Sequence, residues 1–241
     1  MSEPRDSDSE FGVPFPGRPV PKEQWTRTGL RDTGKPFDWV EVFGRDGARV
    51  VDLGCGNGRF LIGSALARPD RLHLGIDLVQ VSIDYAAQRA NRRALTNVRF
   101  VVADAATWLY ERFAPDSLDE IHIYHPQPYY EEETSAQRLL TPEFLERAWT
   151  VVRRGGLLVV QTDNKAYWRY LRDSIKKHFE PAIQKGPWPD APQGRTRREI
   201  QAHRQGLVVW RMQARRRDVP LEMEITPPVF DANRPRFRKG G

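Results

Sequence analysis

From residue 50 onward, short apolar runs alternate with stretches in which apolar positions return every three or four residues. The runs Val50–Leu53, Leu72–Asp77, Val98–Val102, Leu118–Tyr124 and Leu157–Thr162 are short and rich in Val, Ile, Leu and Phe, with polar residues set among them in LHLGID and LDEIHIY. That pattern predicts strands buried on both faces of a parallel sheet. Between and after them, Phe60–Arg68, Val81–Ala94, Ala105–Arg112, Pro142–Val152 and Tyr167–Phe179 carry helical spacing. The alternation predicts an α/β protein with a doubly wound, mostly parallel sheet. Thr196–His203 reads as one more helix, and Leu207–Ala214 as a late antiparallel strand at the sheet edge. Residues 1–36 hold many of the 19 prolines and little periodicity, which predicts a mobile Pro-rich arm. Residues 37–217 form the expected domain, and 218–241 a C-terminal extension ending in a basic tail.

At 241 residues and 39% hydrophobic, the chain is long enough to bury a proper core in one domain. A net charge of +6 suits a polyanionic partner. The single Cys55 leaves no internal disulfide and no Cys-based metal site, so a reduced, cytoplasmic setting and no metal are expected. No run approaches the roughly 18 apolar residues of a membrane span, and an acidic, Pro-rich start is unlike a secretory signal. Oligomeric state stays open between monomer and homodimer.

The chemistry concentrates at Val50–Gly58, VVDLGCGNG, where an apolar run ends in Asp52 and Gly54, Gly56 and Gly58 follow at alternate positions. Glycine tolerates positive φ and has no Cβ, so a strand can turn sharply there with its backbone against a ligand. The spacing is GxGxG, not the GxGxxG of dinucleotide-binding turns. It favours S-adenosylmethionine (SAM) over NAD, with Asp52 acting through ordered water on the ligand's cationic end. Two further runs end in acids, Asp77 and Asp104, suited to ribose hydroxyls and to an adenine amino group at one sheet edge. Asn57 and Ala105 complete the candidate cofactor set. Each aspartate taken alone could equally cap the following helix.

FDWVEVFG, VVDLGCGNGRFL, GIDL, NVRFVVADA, the strand before HPQPYY, TPEFLERAWTVVRRGG, QTDN and TRREIQAHRQG together resemble the bacterial tRNA (guanine-N7)-methyltransferases. The resemblance runs from about Phe37 to Ala214, and its most specific part is T-x-x-E followed by Gly, here Thr196, Glu199 and Gly206. It implies a Rossmann-like SAM-dependent fold that methylates N7 of a variable-loop guanine in tRNA. Asp52, Asp77 and Asp104 match the SAM-contacting acids of that family, and Asp163, Thr196 and Glu199 its substrate pocket. Guanine N7 has a free lone pair, so the reaction needs alignment and negative potential in place of a general base. Asp163 and Gln127 are the catalytic candidates. Gln127, Glu131, Asp163, Thr196, Arg197, Arg198 and Glu199 are the substrate-binding ones.

Where the family has F-P-D-P-W followed by Lys, Arg and His, this chain has His125 to Tyr130 followed by Glu131, Glu132 and Glu133. An amide replaces an acid, and acids replace bases. Basic residues gather instead between Arg195 and Arg217 and in the tail. They form a candidate phosphate-binding surface or a solvated charged face. Methylation of another base, an amine or a small molecule remains open, as does a catalytically weak SAM- or RNA-binding protein.

Overall fold

A computed structural model describes residues 8–129 and 138–224 of the chain. The chain enters through a hairpin, β1 (Ser9–Glu10) and β2 (Val13–Pro14), and a short strand β3 (Gly29–Leu30). Then follow α1 (Trp39–Phe43), β4 (Arg49–Leu53), α2 (Arg59–Ala67), β5 (Leu72–Asp77), α3 (Gln80–Asn91), β6 (Val98–Val102), α4 (Ala105–Glu111) and β7 (Leu118–Tyr124). The second half holds α5 (Pro142–Val151), β8 (Val152–Thr162), α6 (Lys165–Ser174), β9 (Phe179–Gln184), α7 (Arg197–Arg204) and β10 (Trp210–Arg216). The main sheet has eight strands in the order β3-β6-β5-β4-β7-β8-β10-β9. All pairings from β3 to β8 are parallel, and β10 is antiparallel to both of its neighbours.

Successive side chains of a strand point to opposite faces, so a strand buried on both sides feeds two apolar layers. Val50 joins the layer of Phe15, Leu61, Ile83 and Trp188, while Val51 joins that of Trp39, Trp108, Phe144 and Leu171. The covering helices begin where their sequences say they should. Thr141 accepts from the Phe144 amide at 3.2 Å, Pro142 takes the first helical position, and Phe144, Leu145, Ala148 and Val151 form the buried stripe of α5.

Three expectations need correction. From Asp8 onward the expected mobile arm is packed on the domain, and its strand β3 pairs with β6. Phe15 is buried beneath the guanidinium groups of Arg89 and Arg93, Glu10 bonds Arg59 and Arg89, and the Thr28 amide donates to Asn91 at 2.8 Å. Ion pairs and cation–π contacts carry no hydrophobic periodicity, so the pattern of the sequence is silent about them. The domain therefore starts well before residue 37. The late strand is interior, because β9 lies outside it as the edge. Pro181 within Phe179–Gln184 masks a strand that pairs on one side only, a place where proline is tolerated. The basic tail lies outside the described residues.

Candidate active site

The Gly loop leaves β4 at its carboxyl end, where ligands of open α/β sheets are held. Gly54 and Gly56 adopt φ of +83° and +52°, and a Cβ at either would meet only open space. Gly58, at +75°, is fixed by packing, since a Cβ there would come within 2.8 Å of Ala86 and 2.9 Å of Phe100. The first two glycines thus expose backbone, and the third seats α2 on the sheet.

Beside the loop lies a cavity of about 680 Å³. Asp52, Gly54, Gly56, Asn57, Gln127, Asp163, Thr196, Arg197 and Arg198 all line it, joined by Tyr124, His125, Asn164 and Gln201. Residues from β4, the loop after β7, the end of β8 and the start of α7 therefore converge from distant parts of the sequence. Asp52 is 2% exposed, and its Oδ1 has no hydrogen-bond partner among the described residues. Burial, with the charge of Asp77 nearby, pushes its carboxyl well above the usual range. A buried acceptor left open beside a backbone cradle fits the cationic amino-acid end of SAM.

Asp163 faces the same space from the end of β8. His125 Nδ1 lies 3.1 Å from its Oδ1, and Arg198 Nη2 donates to its Oδ2 at 2.6 Å. Burial acts to raise its pKa, but the His125 hydrogen bond and the Arg198 charge outweigh that and hold its carboxyl below the usual carboxylate range. Helix capping does not claim it, because the next residue, Asn164, caps α6 by accepting from the Tyr167 amide at 2.9 Å. Gln127 stands exposed on the wall, in a loop whose carbonyls at Pro128 and Tyr129 accept from Arg138 at 2.7 and 2.8 Å. Arg197 lies over the Phe11 ring at 5.1 Å, so the β1–β2 tip reaches α7.

Other candidates are placed differently. Asp77, Asp104 and Ala105 sit at the same sheet edge but outside the walls of this cavity. Asp77 accepts from the Gly56 amide at 2.8 Å and the Val79 amide at 2.9 Å, tying the loop to β5. Asp104 caps α4 through the Thr107 amide at 2.7 Å. Glu199 is the clearest correction. Wholly buried and absent from the cavity walls, it accepts from Arg211 and, at 2.7 Å, from the Arg195 amide. The T-x-x-E spacing has a local cause. Thr196 caps α7 by accepting from the Glu199 amide at 3.1 Å, and Glu199 turns back to the amide before the cap, a variant of the capping box. Glu131 lies outside the described residues.

Tyr124 and His125 were not among the sequence candidates. The His125 backbone is left-handed, with φ of +52°. No local motif announces such a conformation in a non-glycine residue, although a residue just past a strand end and before Pro126 is where a sharp turn belongs.

Sheet order, Gly loop and orphaned strand-end acid together define a Rossmann-like methyltransferase of the SAM-dependent type. A solved structure with the same fold is the 16S rRNA methyltransferase KamB, 16% identical with a TM-score of 0.56, over 79% of this chain and 98% of that one. Residues 46–212 match the family described as "Putative methyltransferase", and the chain belongs to that family. The curated relatives it matches carry a more specific name. The tRNA (guanine-N(7)-)-methyltransferase of Nitrosococcus oceani is 28% identical over 80% of this chain and 81% of its own length. That of Alkalilimnicola ehrlichii is 29% identical over 81% and 85%. Among the described residues, no helix is long and apolar enough to cross a membrane.

Proposed function

We propose that the protein methylates N7 of a guanine in tRNA, with SAM as donor. The observation that carries this reading is an anionic Asp163 opening onto the same cavity as the Gly loop. The curated relatives bearing that activity's name support it. Bound SAM would supply an electrophilic methyl group.

Gly54 and Gly56 would let backbone approach the cofactor, and the free Oδ1 of Asp52 would accept from its ammonium end. Asp77 and Asp104, at the neighbouring strand ends, would serve its nucleoside half. Asp163 would accept from guanine N1–H and N2–H, fixing base identity and favouring a purine that becomes cationic on methylation. No residue has to remove a proton, because N7 offers a lone pair. Gln127 can bond a base edge without adding charge, so the electrostatic part falls to Asp163. Arg197 and Arg198, at the cavity rim, are suited to flanking phosphates. Acting on tRNA, the protein would work in the cytoplasm.

The test is nucleoside mass spectrometry of tRNA incubated with the protein and methyl-labelled SAM. Labelled 7-methylguanosine is the expected product. Label in another nucleoside, or none in any RNA, overturns the reading.

A further inference from the structure

Asp163 ends a hydrogen-bond chain whose direction can be deduced group by group. It starts at Trp188, a buried residue following β9, whose indole has one polar hydrogen and no acceptor. Trp188 Nε1 donates to Gln161 Oε1 at 2.5 Å, which assigns the two ends of that amide. Gln161 Nε2 then faces His125 Nε2 at 2.8 Å. An amide nitrogen only donates, so His125 Nε2 must keep its lone pair, and the ring is neutral with its proton on Nδ1. That proton points at Asp163 Oδ1, 3.1 Å away. Donors and acceptors alternate through four side chains without conflict. The backbone holds the same register, the His125 amide donating to the Gln161 carbonyl at 2.7 Å.

The two oxygens of Asp163 are therefore unlike. Oδ1 is tied to the core through buried Gln161 and Trp188. Oδ2 is held by Arg198, whose side chain is 46% exposed on the first turn of α7. The guanidinium end of this pair reaches solvent while the carboxylate is largely buried, so the arginine can leave without being stranded in the interior, provided another donor takes its place on Oδ2. The geometry points to a carboxylate with one anchored and one exchangeable oxygen. His125 is the positioning residue. Arg198 occupies the place of the substrate's N–H donors until a base arrives, and is then released toward a phosphate next to that base. The class of ligand this fits is a nucleobase with an N–H donor edge, embedded in a phosphodiester chain. The inference rests on the proposed function only for the identity of that base.

Nitrogen-15 NMR of the histidine-labelled protein tests the anchor without substrate. His125 should show a protonated Nδ1 and a bare Nε2, the minor tautomer of free neutral imidazole. A proton on Nε2 at neutral pH, in either the neutral or the doubly protonated ring, overturns the chain as drawn. In single-turnover assays with tRNA, His125→Asn and His125→Gly form the informative pair, since both tolerate a left-handed backbone but only the amide can donate where Nδ1–H stood. The Asn variant should stay within about 3-fold of the native rate, and the Gly variant should lose about 10-fold or more in kcat, as expected for a hydrogen bond to a charged group. Equal rates for the two variants overturn the positioning role. Arg198→Ala should act mainly on the KM for tRNA. A kcat loss as large as that of His125→Gly overturns the exchange. Failure of the native protein to methylate tRNA would remove the proposed function, whereas the tautomer is read without any tRNA.

Discussion

The Glu199 carboxylate accepts from Arg211 twice, from Nε at 2.9 Å and from Nη2 at 2.6 Å, and both side chains are buried. The pair joins α7 to β10 and thereby sets where Thr196, Arg197 and Arg198 meet the cavity. Removing one member strands the other charge in the interior, which typically costs about 3 to 5 kcal/mol, whereas replacing both with apolar groups of similar volume is often near neutral. Glu199→Ala should therefore lower the denaturant midpoint strongly, and Glu199→Met combined with Arg211→Met should recover most of the loss. An alanine variant as stable as the native protein would contradict a structural role.

Asp52 links cofactor affinity to pH. Its carboxyl is raised by burial and then by Asp77, and a cationic ligand end would favour the ionised form, so binding should release a proton. Affinity for SAM should rise with pH across the free-state pKa and level off above it. Calorimetry between about pH 5 and pH 8, in buffers of different ionisation enthalpy, reads both effects. Asp52→Asn should bind more weakly and lose the pH dependence. The same pH dependence in that variant would assign the proton elsewhere.

The parallel strands and the Gly loop were legible because strands buried in a parallel sheet leave short runs rich in branched apolar residues and a sharp turn demands glycine. Asp163 was legible only through the family resemblance that QTDN helps to carry, and the identity of its partners was not. His125 is paired through a left-handed backbone, and Gln161 through an amide whose orientation depends on Trp188, a residue 27 positions away. Glu199 shows the opposite failure. Its spacing from Thr196 was visible, but the same spacing serves a helix cap, and only the position of Arg211 decides the matter. The N-terminal segment was hidden because its anchors, Glu10 on Arg59 and Phe15 under Arg89, are single contacts without repeat.

The arginine-rich stretch divides into two ends of the sheet. Arg197 and Arg198 line the cavity, while Arg215 pairs with Leu157 near the start of the parallel part of β8 and donates to the Gly155 carbonyl at 2.8 Å. Arg216 donates to the Trp149 carbonyl at 2.7 Å, and Arg217 to that of Lys176 at 3.1 Å. Of the basic residues between Arg195 and Arg217, those on the first turn of α7 are therefore the ones placed to meet a nucleic acid at the cavity. Each lost phosphate contact lowers the slope of log K against log salt by about 1. Arg197→Ala with Arg198→Ala should reduce the slope for tRNA by about 2, and Arg215→Ala should leave it unchanged. The reverse result in filter binding over a salt series would place the tRNA across the other end of the sheet.

His73 should make the protein acid-sensitive well above the range where carboxylates titrate. It is fully buried on β5, its Nδ1 lying 3.2 Å from the Asn97 carbonyl and its Nε2 3.0 Å from Ser64 Oγ. A carbonyl only accepts, so the proton sits on Nδ1 and the ring is satisfied while neutral. Burial lowers its pKa from 6.5 to about 4. Between those values the unfolded chain binds a proton that the folded chain does not, so stability is fully present above about pH 6.5 and falls as pH drops toward about 4, by at most about 1.4 kcal/mol per pH unit. His122 and His178 are shifted in the same direction by burial and add to the slope. His73→Asn keeps a donor for the Asn97 carbonyl and removes the titration. Urea unfolding at about pH 7 and about pH 4.5 should show a loss of stability smaller by about 2 kcal/mol in this variant than in the native protein. An identical loss in both proteins would mean that His73 is already protonated in the folded state, and that its hydrogen bonds are not those of a neutral ring.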